Sequence, residues 1–251
     1  MPDSGDSLGY DDLSVEQLHQ LHHSAAREAR GGDPLAIEML AVIGALSRRR
    51  LGVPASLDDA PAAVVIMARA HARRVCAAVG NALCTVLSVS DRVRGPDPEL
   101  ALPGVSVIVA ALCRARAHLA DLGPDFDLGL DLDHCLSAAQ RLTDVLVRSA
   151  SFNACEAWDL LDGLFASLRD ARFALSDLVL SLGDMPADAS GADLSGLDLH
   201  RLDALHGVTW TRATTWPPAI AEQVRVHSAE EEPGRLRIRI PYTRGPARPA
   251  P

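Results

Sequence analysis

One stretch decides the fold class: residues 153–182 read NACEAWDLLDGLFASLRDARFALSDLVLSL. Its apolar residues recur at intervals of three and four, which is the spacing of one face of an α-helix. Those residues are Trp158, Leu161, Leu164, Leu168, Leu175 and Leu178. Asn153 and Glu156 form a capping-box pattern at the start. The stretch therefore predicts one amphipathic helix that ends at Leu182.

The residues before this stretch carry the same helical spacing. They predict helices over 15–30, 35–50, 61–93, 104–122 and 133–149. Gly80 is the one weak point of the run 61–93, so the sequence leaves open whether that run is one helix or two. We therefore expect a mainly α protein whose body is a bundle of about six helices.

The residues after the last helix repeat in fives. The segments ADASG, ADLSG, LDLHR and LDALH follow one another over 187–206. They resemble a pentapeptide-repeat protein, in which each unit forms one side of a square β-helix and the central residue is buried. The resemblance implies a single coil with its four aspartates pointing outward. A single coil buries too little apolar surface to be stable by itself, so we expect it to pack against the helical body.

A small β element is predicted beyond these fives. Leu236, Ile238 and Ile240 alternate with arginines, which indicates a half-buried strand over 235–240. Its backbone groups need partners, so we expect it to pair with 207–211 or with the coil. A short helix is predicted over 217–227. The whole segment 187–240 resembles a degenerate pentapeptide-type cap on helical proteins of high-GC bacteria, and the resemblance implies no activity.

These patterns divide the chain into four regions. We expect residues 1–12 to be a disordered N-terminus, 13–183 the all-helical body, 184–240 the coil with its small helix and strand, and 241–251 a disordered tail.

The charge of the chain restricts its partners. All 24 basic residues are Arg, against 33 acidic residues, and the net charge is −9. A net negative charge argues against general binding to nucleic acid or to an anionic membrane surface, because both bind clustered positive charge. The all-Arg usage is typical of a high-GC bacterial genome. We expect no nucleic-acid partner and no membrane partner.

The cysteines and the N-terminus indicate the compartment. The five cysteines have no C-x-x-C spacing and lie in apolar stretches, so we expect reduced core thiols. The acidic residues 1–9 contain no apolar signal-peptide core. The longest apolar run, 102–113, is shorter than the roughly 20 residues that span a bilayer. These features predict a cytoplasmic protein.

Two groups of side chains are candidate ligand sites. His19, His22 and His23 lie on one face of the first predicted helix and could bind zinc or iron. A polar face of a surface helix is the stronger interpretation, since no metal motif such as H-E-x-x-H is present. An anion pocket is geometrically possible between the second and third helices. Arg48, Arg49 and Arg50 end the second helix, and the third carries a cluster of Arg69, Arg73 and Arg74 with His71. Cations at a helix C-terminus are also ordinary partners of the helix dipole.

The acidic segment between the fourth and fifth helices is a weaker candidate. Asp125, Asp127, Asp131 and Asp133 could hold Ca²⁺ or Mg²⁺. Gly129 stands where an EF-hand loop needs a ligand, so a solvated loop in which Asp133 begins a helix is the stronger interpretation.

No G-x-S-x-G elbow or other catalytic motif occurs in the chain. We therefore expect a protein-interaction or regulatory helical module without catalytic activity and without a cofactor, whose partner is another protein or a second copy of itself. One alternative is a helical-bundle metalloprotein or enzyme that uses His19, His22 and His23. A second is an acidic inhibitor of the DNA-mimic type, as pentapeptide-repeat rods can be.

Overall fold

A computed structural model describes residues 57, 60–95, 98–122, 132–148, 153–199 and 201–240, with residues 21, 24, 25 and 35. The predicted disordered ends, 1–12 and 241–251, lie outside these residues. So do nearly all of the first two predicted helices.

The described chain is mainly α-helical, as predicted, with a small antiparallel sheet near its C-terminus. Five α-helices are described: α1 Ala62–Val93, α2 Leu102–Leu122, α3 Leu132–Val147, α4 Ala154–Gly183 and α5 Ala221–Val226. Three strands are described: β1 Thr209–Thr211, β2 Ser228–Glu232 and β3 Arg235–Ile238. Short 3₁₀ turns cover Pro98–Ala101 and Leu202–Leu205.

The run 61–93, which the sequence left open, is one continuous helix. A glycine inside a helix costs about 1 kcal/mol, which is too little to divide 32 residues. Buried residues recur along α1 at alternating steps of three and four, the spacing of a coiled-coil seam. They are Val65, Ala68, Ala72, Val75, Val79, Ala82, Val86, Val89 and Val93.

The longest stretch of the sequence analysis forms α4 with the same seam. The buried apolar residues of this helix are Ala157, Leu161, Leu164, Leu168, Ala171, Leu175, Leu178 and Leu182. Asn153 caps the helix, because its Oδ1 accepts hydrogen bonds from the backbone N–H groups of Cys155 at 3.1 Å and Glu156 at 3.4 Å. Trp158, predicted for the core, is half-buried under Arg94, whose guanidinium carbon lies 4.7 Å from the ring centroid.

The thiols are free but are mostly not in the core. Cys135 is buried and Cys76 is half-buried, whereas Cys84, Cys113 and Cys155 are exposed. The prediction of core thiols was therefore wrong for the last three. Cys113 is one position from the buried Leu112, whereas Cys84 and Cys155 are two positions from the nearest buried residues, Ala82 and Ala157. Each position along a helix turns the side chain by about 100°, so all three are directed away from the core.

The chain forms two compact units. The first comprises Met1–Ala55 and His71–Leu182, and the second Ser56–Ala70 and Gly183–Pro251. The second unit thus includes the start of α1, which the sequence analysis placed in the helical body. Within the first unit, α2 packs against α3.

Buried residues of the second unit recur every five positions in the segment that resembles pentapeptide repeats. Ala189, Leu194, Leu199 and Ala204 are each at most 3% exposed. Two of these segments bridge in parallel to the later chain, Asp188 to Thr209 and Asp193 to Thr215. Membership of the pentapeptide-repeat family stays a prediction.

The predicted strand near residue 238 pairs with 209–211, as expected. The sheet has the order β1-β3-β2, and both pairings are antiparallel. The sequence missed β2, whose residues SAEEE have low strand propensity. The low strand propensity is partly compensated by ion pairs of Glu231 in β2 with Arg237 at 3.1 Å and with Arg239 at 3.4 Å. Gly234, at φ 81°, supplies the left-handed turn into β3.

A buried arginine belongs to the core of the second unit. Arg69 in α1 is 2% exposed. Its guanidinium donates hydrogen bonds to the carbonyl oxygens of His206 at 3.2 Å, Gly183 at 3.2 Å, Ala204 at 3.4 Å and Met185. This side chain therefore ties the start of the long helix to the five-residue segments.

Two described helices, Ala62–Val93 and Glu99–Leu122, are long and apolar enough to cross a membrane by length and composition alone. The apolar run 102–113 lies within the second of them. This is weak evidence for a membrane protein, because the core helix of a soluble protein passes the same test.

Candidate metal centre and C-terminal cleft

Most of the ligand residues predicted from the sequence lie outside the described part of the chain. This holds for His19, His22 and His23, for Arg48, Arg49 and Arg50, and for Asp125, Asp127 and Asp131. Arg73 and Arg74 are described and are half-buried in α1. Asp133 lies in the first turn of α3, 3.2 Å from Arg116 Nη1. The predicted histidine and arginine sites therefore stay predictions.

The first unit brings together a different set of metal-ligating side chains. His71 comes from α1, while His118 and Asp121 come from the last turn and a half of α2. One potential ligand atom from each of the three residues lies within 4.8 Å of the other two. His118 and Asp121 share a helix face because they are three residues apart.

Burial differs across these three residues, which we call the His–His–Asp cluster. The side chain of His71 is 12% exposed, that of His118 is 29% exposed, and that of Asp121 is 56% exposed. The two imidazoles therefore form the sheltered side of the cluster, and the carboxylate forms the side that faces solvent.

The distances within the cluster are long for hydrogen bonds. Asp121 Oδ2 lies 3.5 Å from His71 Nδ1 and 3.7 Å from His118 Nδ1, whereas ordinary hydrogen bonds from nitrogen to oxygen measure about 2.7–3.2 Å. Among the described residues, His118 Nδ1 is buried and has no hydrogen-bond partner. The ring centroids of the two histidines are 5.9 Å apart and the rings are tilted by 55°.

The same distances fit atoms arranged around one metal ion. Ligand atoms about 2.1 Å from zinc in tetrahedral geometry are separated by about 3.4 Å. The two nitrogen-to-oxygen distances, 3.5 and 3.7 Å, are close to that value. The arrangement can therefore close around an ion with small side-chain movements.

The sequence contained only part of the signal for this cluster. The pattern H-x-x-D at 118–121 places two ligands one helical turn apart. The third ligand, His71, lies on another helix, and no local spacing relates it to the other two. Only the packing of α1 beside the end of α2 selects it from the nine histidines of the chain.

A second site is a cleft of about 520 Å³ in the second unit. We call it the C-terminal cleft and define it by Trp210, Arg212, Thr215, Trp216 and Arg225. The two indoles meet edge to face, with centroids 5.9 Å apart and planes at 88°. The sequence interpretation of both tryptophans as packing residues agrees with their burial, at 5% and 7% exposed. It did not reveal that they also line a cavity.

Two aspartates of the five-residue segments have lowered pKa values. The N–H of Ser190 donates to Asp188 Oδ1 and that of Ser195 to Asp193 Oδ1, each at 3.0 Å. Hydrogen bonds from Ser190 lower the pKa of Asp188 below its ordinary value of 3.8, and the cation of Arg235 lowers it further. Hydrogen bonds from Ser195 lower the pKa of Asp193 in the same way. Both carboxylates therefore act as turn-forming acceptors in the charged state.

No family model, curated protein or solved structure matches this chain.

Proposed function

We propose that the first unit binds a divalent transition-metal ion through His71, His118 and Asp121. The observation that carries the proposal is the spacing of their ligand atoms, with the carboxylate oxygen 3.5 and 3.7 Å from the two imidazole nitrogens. This departs from the sequence expectation of a protein without a cofactor. It agrees with the alternative of a metalloprotein, but the histidines proposed as ligands are different from the three predicted from the sequence.

The donor set favours borderline metals. Imidazole nitrogen suits zinc, iron, copper and nickel, while one carboxylate adds charge neutralisation. Magnesium and calcium prefer oxygen ligands alone. Three protein ligands would leave a coordination position for water. The exposed Asp121 supports the proposal, because it gives the ion a route from solvent to the half-buried imidazoles.

Calorimetric titration with zinc chloride tests the proposal on the full chain after dialysis against chelator. We expect one ion per chain. The variants H118A and D121N should each weaken zinc binding at least tenfold, which corresponds to about 1.4 kcal/mol. His134→Ala is the matched control, since His134 is an exposed histidine on α3 of the same unit. Absence of a one-to-one site, or equal loss in H134A, would overturn the proposal.

Cobalt substitution separates this cluster from the exposed thiols. Cobalt held by imidazole and carboxylate gives d–d absorption without a thiolate charge-transfer band. A strong charge-transfer band that persists in H118A would place the ion on Cys84, Cys113 or Cys155 and would contradict the assignment.

The protein-interaction or regulatory module stays a second candidate. It is favoured by the large apolar side chains that remain exposed on α1, on α2 and on the 3₁₀ turn between them, which are Leu87, Val107 and Leu100. Such residues, when they cluster, mark docking surfaces. The occupant proposed is a second copy of this chain, as in the homo-oligomer predicted from the sequence.

Light scattering across a concentration series tests self-association. A dimer that L87E or V107E dissociates, and that the control V147E in α3 leaves intact, supports it. A monomer at every concentration removes this candidate. The five free thiols support placing the protein in a reducing compartment such as the cytoplasm.

A further inference from the structure

The lining of the C-terminal cleft combines an aromatic wall with cationic side chains. Trp210 and Trp216 form the wall, and Trp210 is held in place because its Nε1–H donates to Ser228 Oγ at 2.9 Å. Both indoles line the cleft, and because the two residues are 5% and 7% exposed, a bound ring would contact only the small part of each indole that faces the cleft.

The charge of the lining is opposite to that of the whole chain. The chain carries a net charge of −9, yet the residues that line the cleft include two arginines and no acidic residue. Arg225 forms an ion pair with Glu222, with Nη1 3.1 Å from the carboxylate Oε2. Arg212 has no ion pair or hydrogen bond from its guanidinium to any described residue. The cleft therefore attracts an anion.

Trp216 adds a hydrogen-bond donor without a partner. Its Nε1 is shielded from solvent and has no hydrogen-bond acceptor among the described residues, while the side chain as a whole is 7% exposed. Buried donors are normally paired, with the protein, with water or with a ligand. Because this nitrogen is shielded, an oxygen atom of a bound molecule can supply the missing acceptor only if the side chains around it move to open a path.

We propose that the C-terminal cleft binds a small organic anion that carries a flat ring. The ring packs against Trp210 and Trp216, and the carboxylate or phosphate group pairs with Arg212 and Arg225. The volume of about 520 Å³ lies within the range of roughly 300–1,000 Å³ typical of small-molecule sites. Every lining residue belongs to the second unit, so this inference does not depend on the metal proposed for the first.

Fluorine NMR with matched probes tests the inference on the full chain. The probe is 4-fluorobenzoate, its uncharged counterpart is 4-fluorobenzyl alcohol, and acetate, added as a competitor, is the anion without a ring. We expect the protein to broaden the fluorine signal of 4-fluorobenzoate but not that of 4-fluorobenzyl alcohol. Acetate should compete only weakly and should therefore restore little of the benzoate linewidth. The R212Q variant should weaken benzoate binding about tenfold, since it removes a charge-assisted hydrogen bond.

Controls separate a specific site from general attraction. R201Q removes another arginine of the second unit, whose side chain is 80% exposed and lies outside the cleft lining. W216F keeps a ring but removes the unpaired donor, and should weaken binding while leaving the circular dichroism spectrum unchanged. Equal binding of the alcohol, equal loss in R201Q, or no broadening of the benzoate signal would overturn the inference.

Discussion

At the scale of single residues, Arg69 shows how one side chain can hold a unit together. It is the largest of the fully buried side chains in the described chain, and it satisfies four backbone carbonyl groups at once. Gly183 and Ala204 lie at the ends of helical elements, where the last carbonyls have no intrahelical donor, and Met185 and His206 follow those ends, so all four need donors from elsewhere. The planar guanidinium supplies several donors in a fixed fork, which an ammonium group does not.

Replacement of Arg69 by Met is therefore expected to destabilise the second unit by about 3 kcal/mol or more, since buried acceptors lose charged donors. Urea unfolding in a W158F background, followed by the fluorescence of the remaining Trp210 and Trp216, measures the loss. Arg69→Lys should recover only part of it. The exposed-site control R201Q should stay within about 0.5 kcal/mol of wild type. An R69M protein as stable as wild type would show that water satisfies the carbonyls.

The turn aspartates predict an acid dependence of stability. The folded-state pKa of Asp188 and of Asp193 lies below the ordinary 3.8. Their contribution is therefore complete above that value and is lost as the pH falls through the folded-state pKa. Urea midpoints between about pH 5 and pH 2 should fall more steeply for wild type than for the double variant D188N/D193N. Parallel curves would contradict this assignment.

At the scale of elements, close helix contact is fixed by small residues. A Cβ atom at Gly104 in α2 would lie 2.5 Å from Val89 Cγ2 in α1. Val89 is fully buried and β-branched, so it has little freedom to move aside. A Cβ at Gly163 in α4 would meet nothing within 4 Å.

The two glycines therefore predict opposite outcomes for the same substitution. Gly104→Ala should destabilise the protein by about 1–3 kcal/mol, because overpacking exceeds the gain in helix propensity. Gly163→Ala should stabilise it by about 0.5–1 kcal/mol, because only the propensity changes. Chemical denaturation followed by far-ultraviolet circular dichroism measures both. Stabilisation by G104A would mean that α1 and α2 separate more easily than this contact indicates.

At the scale of the whole molecule, metal binding should appear as added stability. A ligand that binds only the folded state at a concentration 100 times its Kd adds about 2.7 kcal/mol. Zinc should therefore raise the urea midpoint, and excess chelator should return it. The variant H118A should show no such gain, while H134A should respond like wild type. A zinc effect of equal size in H118A would place the stabilising ion elsewhere in the chain.

The helical class and the seams of α1 and α4 were predictable from the sequence. Steps of three and four identify a helix without knowledge of its neighbours, because they follow from 3.6 residues per turn. The cap at Asn153 and the pairing of the strand near residue 238 were also predictable. In both cases a local sequence pattern leaves backbone N–H or C=O groups that need hydrogen-bond partners, and few partners are within reach. The β2 strand was not, because Glu231 is favoured in it by cross-strand arginines and not by its own propensity.

The sequence by itself determined the described long helices and the strand near residue 238, since each follows from residues within a few positions of one another. Only the tertiary structure decided which side chains meet: His71 with His118 and Asp121, Arg69 with its carbonyls, and Trp210 with Trp216. These contacts are between residues that are distant along the chain. They depend on how helices and strands pack, which no local periodicity contains.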